Sequence, residues 1–391
     1  MSRTHTKIFM TLFFSIFAAV TGVGIVVPLL PVYARELGAS GIAIGMIFGG
    51  FSLSRSFFLP WFGRLSDMRG RKPFLVAGLF SYFIISLIFI YAHSVLTLIS
   101  VRLLQGVASA MIMPVAQAYV GDITPKGKEG VTMGIFNMSI FFGLSIGPLL
   151  GGVIRDRFGL GTAFGCMGIM AFIAFLFSFF FLPPTHSERL ATIGRPPVRW
   201  ALLLKDRMII SLFVFRFVYT ACIGIIWGFL PVYADATFSL SSTAIGVLVM
   251  LGVSVSGTIH IPMGMLADRF DRKMMVVIGG IVVVGSLVLM GRARGFNGLF
   301  VANAVFGIGG GISMPAMMAL AVMRGNRLHA MGSVMALITV AHSLGMLTGS
   351  LLAGAIMEVT QLRYAFFVGT LVMAAGIIQF YAGTRRVEVE A

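Results

Sequence analysis

Charge is the scarcest commodity in this chain. Asp, Glu, Lys and Arg together make up only 11% of its 391 residues, where soluble domains run near a quarter. A soluble chain of this length would need far more polar side chains to cover one or two cores. Acid is rarer still, with 13 Asp and Glu against 29 Lys and Arg, and none stands at mid-depth of a long apolar run. Glu36 and Asp235 lie at one set of run ends, and Asp67, Asp122 and Asp268 at the other. Cysteine is nearly absent as well. Cys166 and Cys222 both fall inside apolar runs, which excludes a disulfide framework or a cysteine metal cluster. There is no Gly-Lys-Ser/Thr phosphate loop, no paired metal-ligand histidines and no nucleophile elbow. The sequence therefore speaks against an enzyme, a bound cofactor or metal, and a nucleotide-driven pump.

What is present is apolar length. Hydrophobic residues make up 58% of the chain, in recurring runs of the roughly 20 residues that a spanning helix needs. The first run is too long for the core of a cleavable signal and holds Pro28 and Pro31 near its end. It reads as the first span. Spans are predicted over 7–34, 41–65, 73–93, 95–121, 130–154 and 161–182, and again over 208–234, 242–266, 274–291, 296–323, 330–356 and 363–384. The expected fold is an all-α membrane protein of twelve transmembrane helices in two pseudo-symmetric six-helix bundles, residues 1–182 and 208–391. A polar linker over 183–207, with paired prolines at 183–184 and 196–197, would join them.

A net charge of +16 raises the question of nucleic acid, but the cations sit in short clusters between spans and form no basic stripe. Loop cations of this kind set topology under the positive-inside rule. With the N-terminus in the cytoplasm, twenty of the 29 Lys and Arg fall inside, six outside and three within spans. The prediction is a multi-pass protein of the inner (plasma) membrane with both termini cytoplasmic.

The two halves repeat at an offset of 200 or 201. Pro31-Val32-Tyr33-Ala34 returns as Pro231-Val232-Tyr233-Ala234, Ala43-Ile44-Gly45 as Ala244-Ile245-Gly246, and Met113-Pro114 as Met314-Pro315. Gly63-x-Leu65-x-Asp67 returns as Gly264-x-Leu266-x-Asp268. An even number of spans separates the copies, so the repeat is parallel, the arrangement that places a substrate site where two bundles meet.

The loop after the second span reads Gly63-Arg64-Leu65-Ser66-Asp67-Met68-Arg69-Gly70-Arg71-Lys72. It resembles the signature loop of the major facilitator superfamily, G-x-L-x-D-[RK]-x-G-[RK]-[RK], with Met68 in place of a basic residue. The second copy runs from Gly264 to Lys273 and has Asp271 where the family has glycine. Arg102-Leu103-Leu104-Gln105-Gly106 is similar to the family's R-x-x-x-G, and Asp122 resembles the acid that family members pair with the first loop. Gly134, Gly143, Gly147, Pro148, Gly151 and Gly152 match every fixed position of G-x8-G-x3-G-P-x2-G-G. That pattern belongs to the twelve-span drug:proton antiporter branch, although it also describes a small-residue packing face.

The resemblance implies alternating access, with a gating loop made of Gly63, Asp67, Gly70, Arg71, Lys72 and Asp122, and in the second half of Gly264, Asp268 and Arg272. From the residues themselves, Asp67 beside this cationic cluster can pair with Arg71 or cap a neighbouring helix. Gly63 permits close helix contact and Gly70 a tight turn.

The intramembrane cations Arg55, Arg102 and Arg216 are costly in lipid unless paired or hydrated. They are candidates for a substrate cavity, together with Gln105, Asn137, Trp227, Asn303 and His342. Arg102 could instead bond backbone carbonyls and only lock helices together. The deep protonatable groups are His260 and His342, and His342 is the candidate for proton coupling, or else a helix-helix hydrogen bonder. The function expected is proton-driven efflux of small amphipathic or anionic compounds by a monomer in the lipid bilayer. An organic-anion importer or facilitator, a lipid flippase and a non-transporting membrane receptor are the alternatives.

Overall fold

A computed structural model describes residues 3–125, 129–183, 203, 205–267, 269–328 and 330–385. Most of the predicted linker and Asp268 lie outside the described residues. The described chain is all-helical: α1 Arg3–Val26, α2 Leu29–Glu36, α3 Gly41–Arg69, α4 Arg71–Ile90, α5 Val95–Ile123, α6 Glu129–Phe158 and α7 Leu160–Phe181, then α8 Arg207–Phe238, α9 Ser242–Ala267, α10 Arg272–Arg292, α11 Phe296–Arg327, α12 Met331–Val359 and α13 Arg363–Thr384. By length and composition, twelve of these stretches can cross a membrane, with α1 and α2 together making one, Thr4–Glu36. The break between them falls at Val27–Pro28, where the proline ring has no N–H to continue the helical ladder.

Helix ends follow local chemistry. Ser94 caps α5, its hydroxyl accepting from the Thr97 N–H at 3.2 Å. Asp206 caps α8 through the N–H groups of Met208 at 3.0 Å and Ile209 at 3.1 Å. Gly70 turns the chain from α3 into α4 at φ +90°, a conformation that a Cβ would oppose. Prolines stand inside six of the long helices, at Pro60, Pro114, Pro148, Pro231, Pro262 and Pro315. Neighbouring helices tolerate such breaks where they re-satisfy the freed carbonyls.

The helices divide into two compact units: Met1–Ala39 with Gly50–Gly194 and Leu240–Met250, and Ser40–Gly49 with Arg195–Ser239 and Leu251–Ala391. In unit 1, α1 packs on α6 and α7, and α4 on α5 and α7. Unit 2 repeats the plan, with α8 on α12 and α13, and α10 on α11 and α13. The division does not fall at the linker alone, because one end each of α3 and α9 packs with the opposite set. In unit 2, the Ser350 hydroxyl donates to the Gly45 carbonyl at 3.1 Å, and Gly41 lies against Gly354 backbone to backbone. In unit 1, Gly246 meets the Pro148 carbonyl just as closely. Glycine is what allows backbones so near.

Candidate functional site

The α3–α4 loop gathers its charges on one side chain. Arg71 pairs with Asp67 one turn back, reaches Asp122 on α5 at 3.2 Å, and donates to the Ser66 hydroxyl at 2.9 Å. The turn at Gly70 places it there, as the first residue of α4. Lys72 lies 5.9 Å over the ring of Phe179. Gly63 has no packing role of the kind its spacing suggests, because a Cβ there would meet open space, and the same holds for Gly264.

The second loop is built differently. Where the first has a left-handed glycine, Asp271 sits at φ −62° and caps α10, accepting from the Lys273 N–H at 2.8 Å. Arg272 follows as the first residue of that helix, and Lys273 reaches the Thr384 carbonyl at 2.9 Å. The departure from glycine at this position exchanges a tight turn for a helix cap.

Inside unit 1, Arg102 on α5 is only 5% exposed. Its guanidinium donates to Gln105 Oε1 at 2.6 Å and lies 4.5 Å over the Phe51 ring. The approach of α3 to α5 is set by Gly106, against which Phe51 and Ser54 press directly. Arg55, one turn along α3, keeps its Nε buried without a hydrogen-bond partner. Tyr82 lies within electrostatic range of both guanidiniums. Asn137 is half-buried on α6.

In unit 2 the structure joins Arg216 on α8 to His342 on α12. The guanidinium donates to His342 Nδ1 at 3.2 Å and to the thioether of Met314 on α11 at 2.8 Å. A guanidinium can only donate, so this His342 nitrogen is the acceptor and the proton of the neutral ring sits on Nε2. His260 on α9 is occupied differently, donating from Nδ1 to the Ser256 carbonyl at 2.6 Å. Asn303 is 2% exposed and lies against Gly252. Tyr219 stacks on Phe306, with centroids 5.9 Å apart and planes 6° from parallel. Trp227 is half-buried on α8.

The glycine stripe of α6 packs on α1. A Cβ at Gly147 would lie 2.7 Å from Gly24 Cα, and one at Gly143 would lie 3.0 Å from the Thr21 nitrogen. Gly151 meets the Ile25 carbonyl and Gly152 that of Ser242, both closer still. Gly134 stands apart, with open space around it. Unit 2 carries a counterpart, where Gly345 and Gly349 of α12 press on Thr220 and Ala221 of α8.

Several polar groups that the sequence reading passed over have definite places. Asp206 both caps α8 and receives Arg324 Nε at 3.0 Å. Asp156 caps α9, accepting from the N–H groups of Ser242 at 3.0 Å and Thr243 at 2.7 Å. Glu358 accepts from the Ile42 N–H at 3.0 Å, at the start of α3. The acid-before-apolar-run pattern could have marked Asp206, whereas Asp156 and Glu358 cap helices distant in sequence and left no local sign. An aromatic cleft of about 490 Å³ is lined by Phe57, Phe58, Pro60, Trp61 and Arg64.

Twelve membrane-length helices, a helix plan stated twice and polar side chains set inside apolar spans are the architecture of a polytopic membrane protein. The chain belongs to the major facilitator superfamily, whose sequence pattern it matches over residues 12–235 and again over 212–390. It is 28% identical over 385 residues to an uncharacterized MFS-type transporter of Methanocaldococcus jannaschii, covering 97% of this chain and 99% of that protein. It is 27% identical over 382 residues to Multidrug resistance protein 2 of Bacillus subtilis, covering 95% and 93%. Among solved structures, the nucleoside transporter NupG superposes with a TM-score of 0.84 at 12% identity, over 96% of this chain and 99% of that one. At that identity the likeness is one of fold.

Proposed function

We propose that this chain is an alternating-access secondary transporter that exports small amphipathic or anionic compounds at the expense of a proton gradient. The observation that carries the reading is the α6 stripe Gly143, Gly147 and Gly151 seated on α1. Backbones in direct contact can shift along each other without unlocking large side chains, and Pro148 frees a hydrogen bond within the same stretch. The name of the Bacillus subtilis relative supports the direction of transport. The loop clasp of Arg71 with Asp67 and Asp122 supplies contacts of the kind that bias a two-state equilibrium. His342 is the residue proposed to carry the proton, and both termini are placed in the cytoplasm.

Membrane vesicles test the direction. Everted vesicles energised by respiration should accumulate a fluorescent amphipathic dye, and a protonophore should abolish the accumulation. Uptake into right-side-out vesicles accelerated by an inward proton gradient would defeat the reading. It would favour instead an importer or facilitator of organic anions. One observation favours that second reading: Arg55, Arg102 and Arg216 lie inside spans whose acids are confined to the helix ends.

A further inference from the structure

Buried arginines usually find oxygen. A guanidinium presents five N–H donors in a planar fork, and its strong partners are carboxylates and phosphates. Arg102 has the amide oxygen of Gln105 at 2.6 Å and an aromatic face at 4.5 Å. Arg71 and Arg324 have carboxylates. Arg216 is different, and it shares with Arg55 a buried Nε that meets no acceptor. One of its other nitrogens donates to the sulfur of Met314 and another to the neutral ring of His342. Sulfur is a weak acceptor, and neither partner carries compensating charge.

The cost of such a cation in lipid is several kcal/mol, and an acid at this depth would remove it. Yet the described acids of unit 2 are Asp206, Asp235, Asp271 and Glu358, all at or beyond helix ends. His260 adds a second base within electrostatic range of Arg216. Away from its helix ends this unit thus holds one arginine and two histidines, all half-buried, with soft or neutral groups standing where an anion would stand.

We propose that Arg216 is the receptor for a carboxylate on the transported compound, and that His342 and Met314 are placeholders which the carboxylate displaces. The carboxylate takes two parallel N–H bonds from the guanidinium fork, while Met314 remains as a polarizable contact for the apolar body of the cargo. The proposal deepens the reading of the chain as an exporter by naming an organic monoacid as cargo, and it rests on that reading only in taking the bound compound to be what is moved. It also separates two arginines that look equivalent in sequence. Arg102 is held by its own helix neighbourhood, and Arg216 awaits its anion.

The test is equilibrium binding to detergent-purified protein without any gradient, using 2-naphthoate and its uncharged analogue 2-naphthamide as probes. Wild type should bind naphthoate at least tenfold more tightly than naphthamide. Arg216→Gln should reduce that preference to parity, while Arg363→Gln, which removes an exposed cation, should preserve it. A second variant guards against failure to fold: His342→Asp places a built-in carboxylate beside the guanidinium, and should raise the melting temperature while abolishing naphthoate binding. The proposal is overturned by equal affinities for the two probes in wild type, or by no naphthoate binding up to millimolar concentration. A preference surviving in Arg216→Gln, or naphthoate binding unchanged in His342→Asp, would overturn it equally. None of these results depends on transport direction, so a failed vesicle experiment with intact naphthoate binding would sink the exporter and leave this site standing.

Discussion

Gly134 and Gly147 belong to one spacing pattern but live in different surroundings. A Cβ at Gly147 would sit 2.7 Å from Gly24 Cα, whereas one at Gly134 would meet nothing within 4 Å. Overpacking a tight contact costs about 1–3 kcal/mol, and backbone cannot move aside as a flexible side chain can. Gly147→Leu should therefore insert into the membrane yet lose most of its transport, whereas Gly134→Leu should keep it. Dye accumulation in everted vesicles at matched expression reads both. Normal turnover in Gly147→Leu would reduce the stripe to filler between helices. The same contrast shows where sequence reading stops at this scale. Glycine spacing identified α6 as a close-packing face, but a pattern records residue type and not what lies across from it. For that reason Gly63 also promised a contact that open space does not supply.

At the scale of the element, the repeat makes each helix end a comparison with its partner 201 residues away. Gly38, after α2, has φ +79°, and its counterpart Ser239, after α8, has φ +50°. A side chain in the left-handed region is disfavoured by roughly 1–2 kcal/mol, a penalty that glycine escapes. Ser239→Gly should raise thermal stability in detergent by about 1 kcal/mol, and a lowered melting temperature would refute the strain. Asp156 makes the opposite case. Its carboxylate holds the first two N–H groups of α9, and removing a cap of this kind costs about 1 kcal/mol. Asp156→Ala should lower the melting temperature, and Asp156→Asn should recover part of the loss because an amide oxygen still accepts. Equal stability of all three proteins would show the cap to be idle. The elements themselves were readable from apolar length, whereas the break at Pro28 falls inside a run that reads as one span. Their caps were readable only where capping residue and helix adjoin in the chain, as at Asp206, and not where Asp156 reaches across to Ser242.

For the whole molecule, the doubled plan was legible because motif pairs kept one offset through four spans, and the packing of α1 on α6 returns as α8 on α12. The candidate site was legible only as an inventory. Arg216 and His342 lie 126 residues apart, and no local pattern announces that their side chains meet. Orientation in the membrane follows from a different physical quantity, the asymmetry of loop cations, which acts during insertion and leaves no mark on helix packing. Twenty of 29 Lys and Arg on one side should place the α3–α4 loop in the cytoplasm and the α10–α11 loop outside. Arg69 and Arg294, one in each loop, are both exposed and suit replacement by cysteine. The native thiols offer little background, since Cys222 is fully buried and Cys166 lies within a membrane-length helix. On intact cells, a membrane-impermeant maleimide should label Arg294→Cys at once and Arg69→Cys only after permeabilisation. The reverse order would invert the molecule in the bilayer. Inversion would carry the Arg71 clasp to the outer face and exchange the sense of every vesicle measurement, so this labelling should precede any assignment of direction.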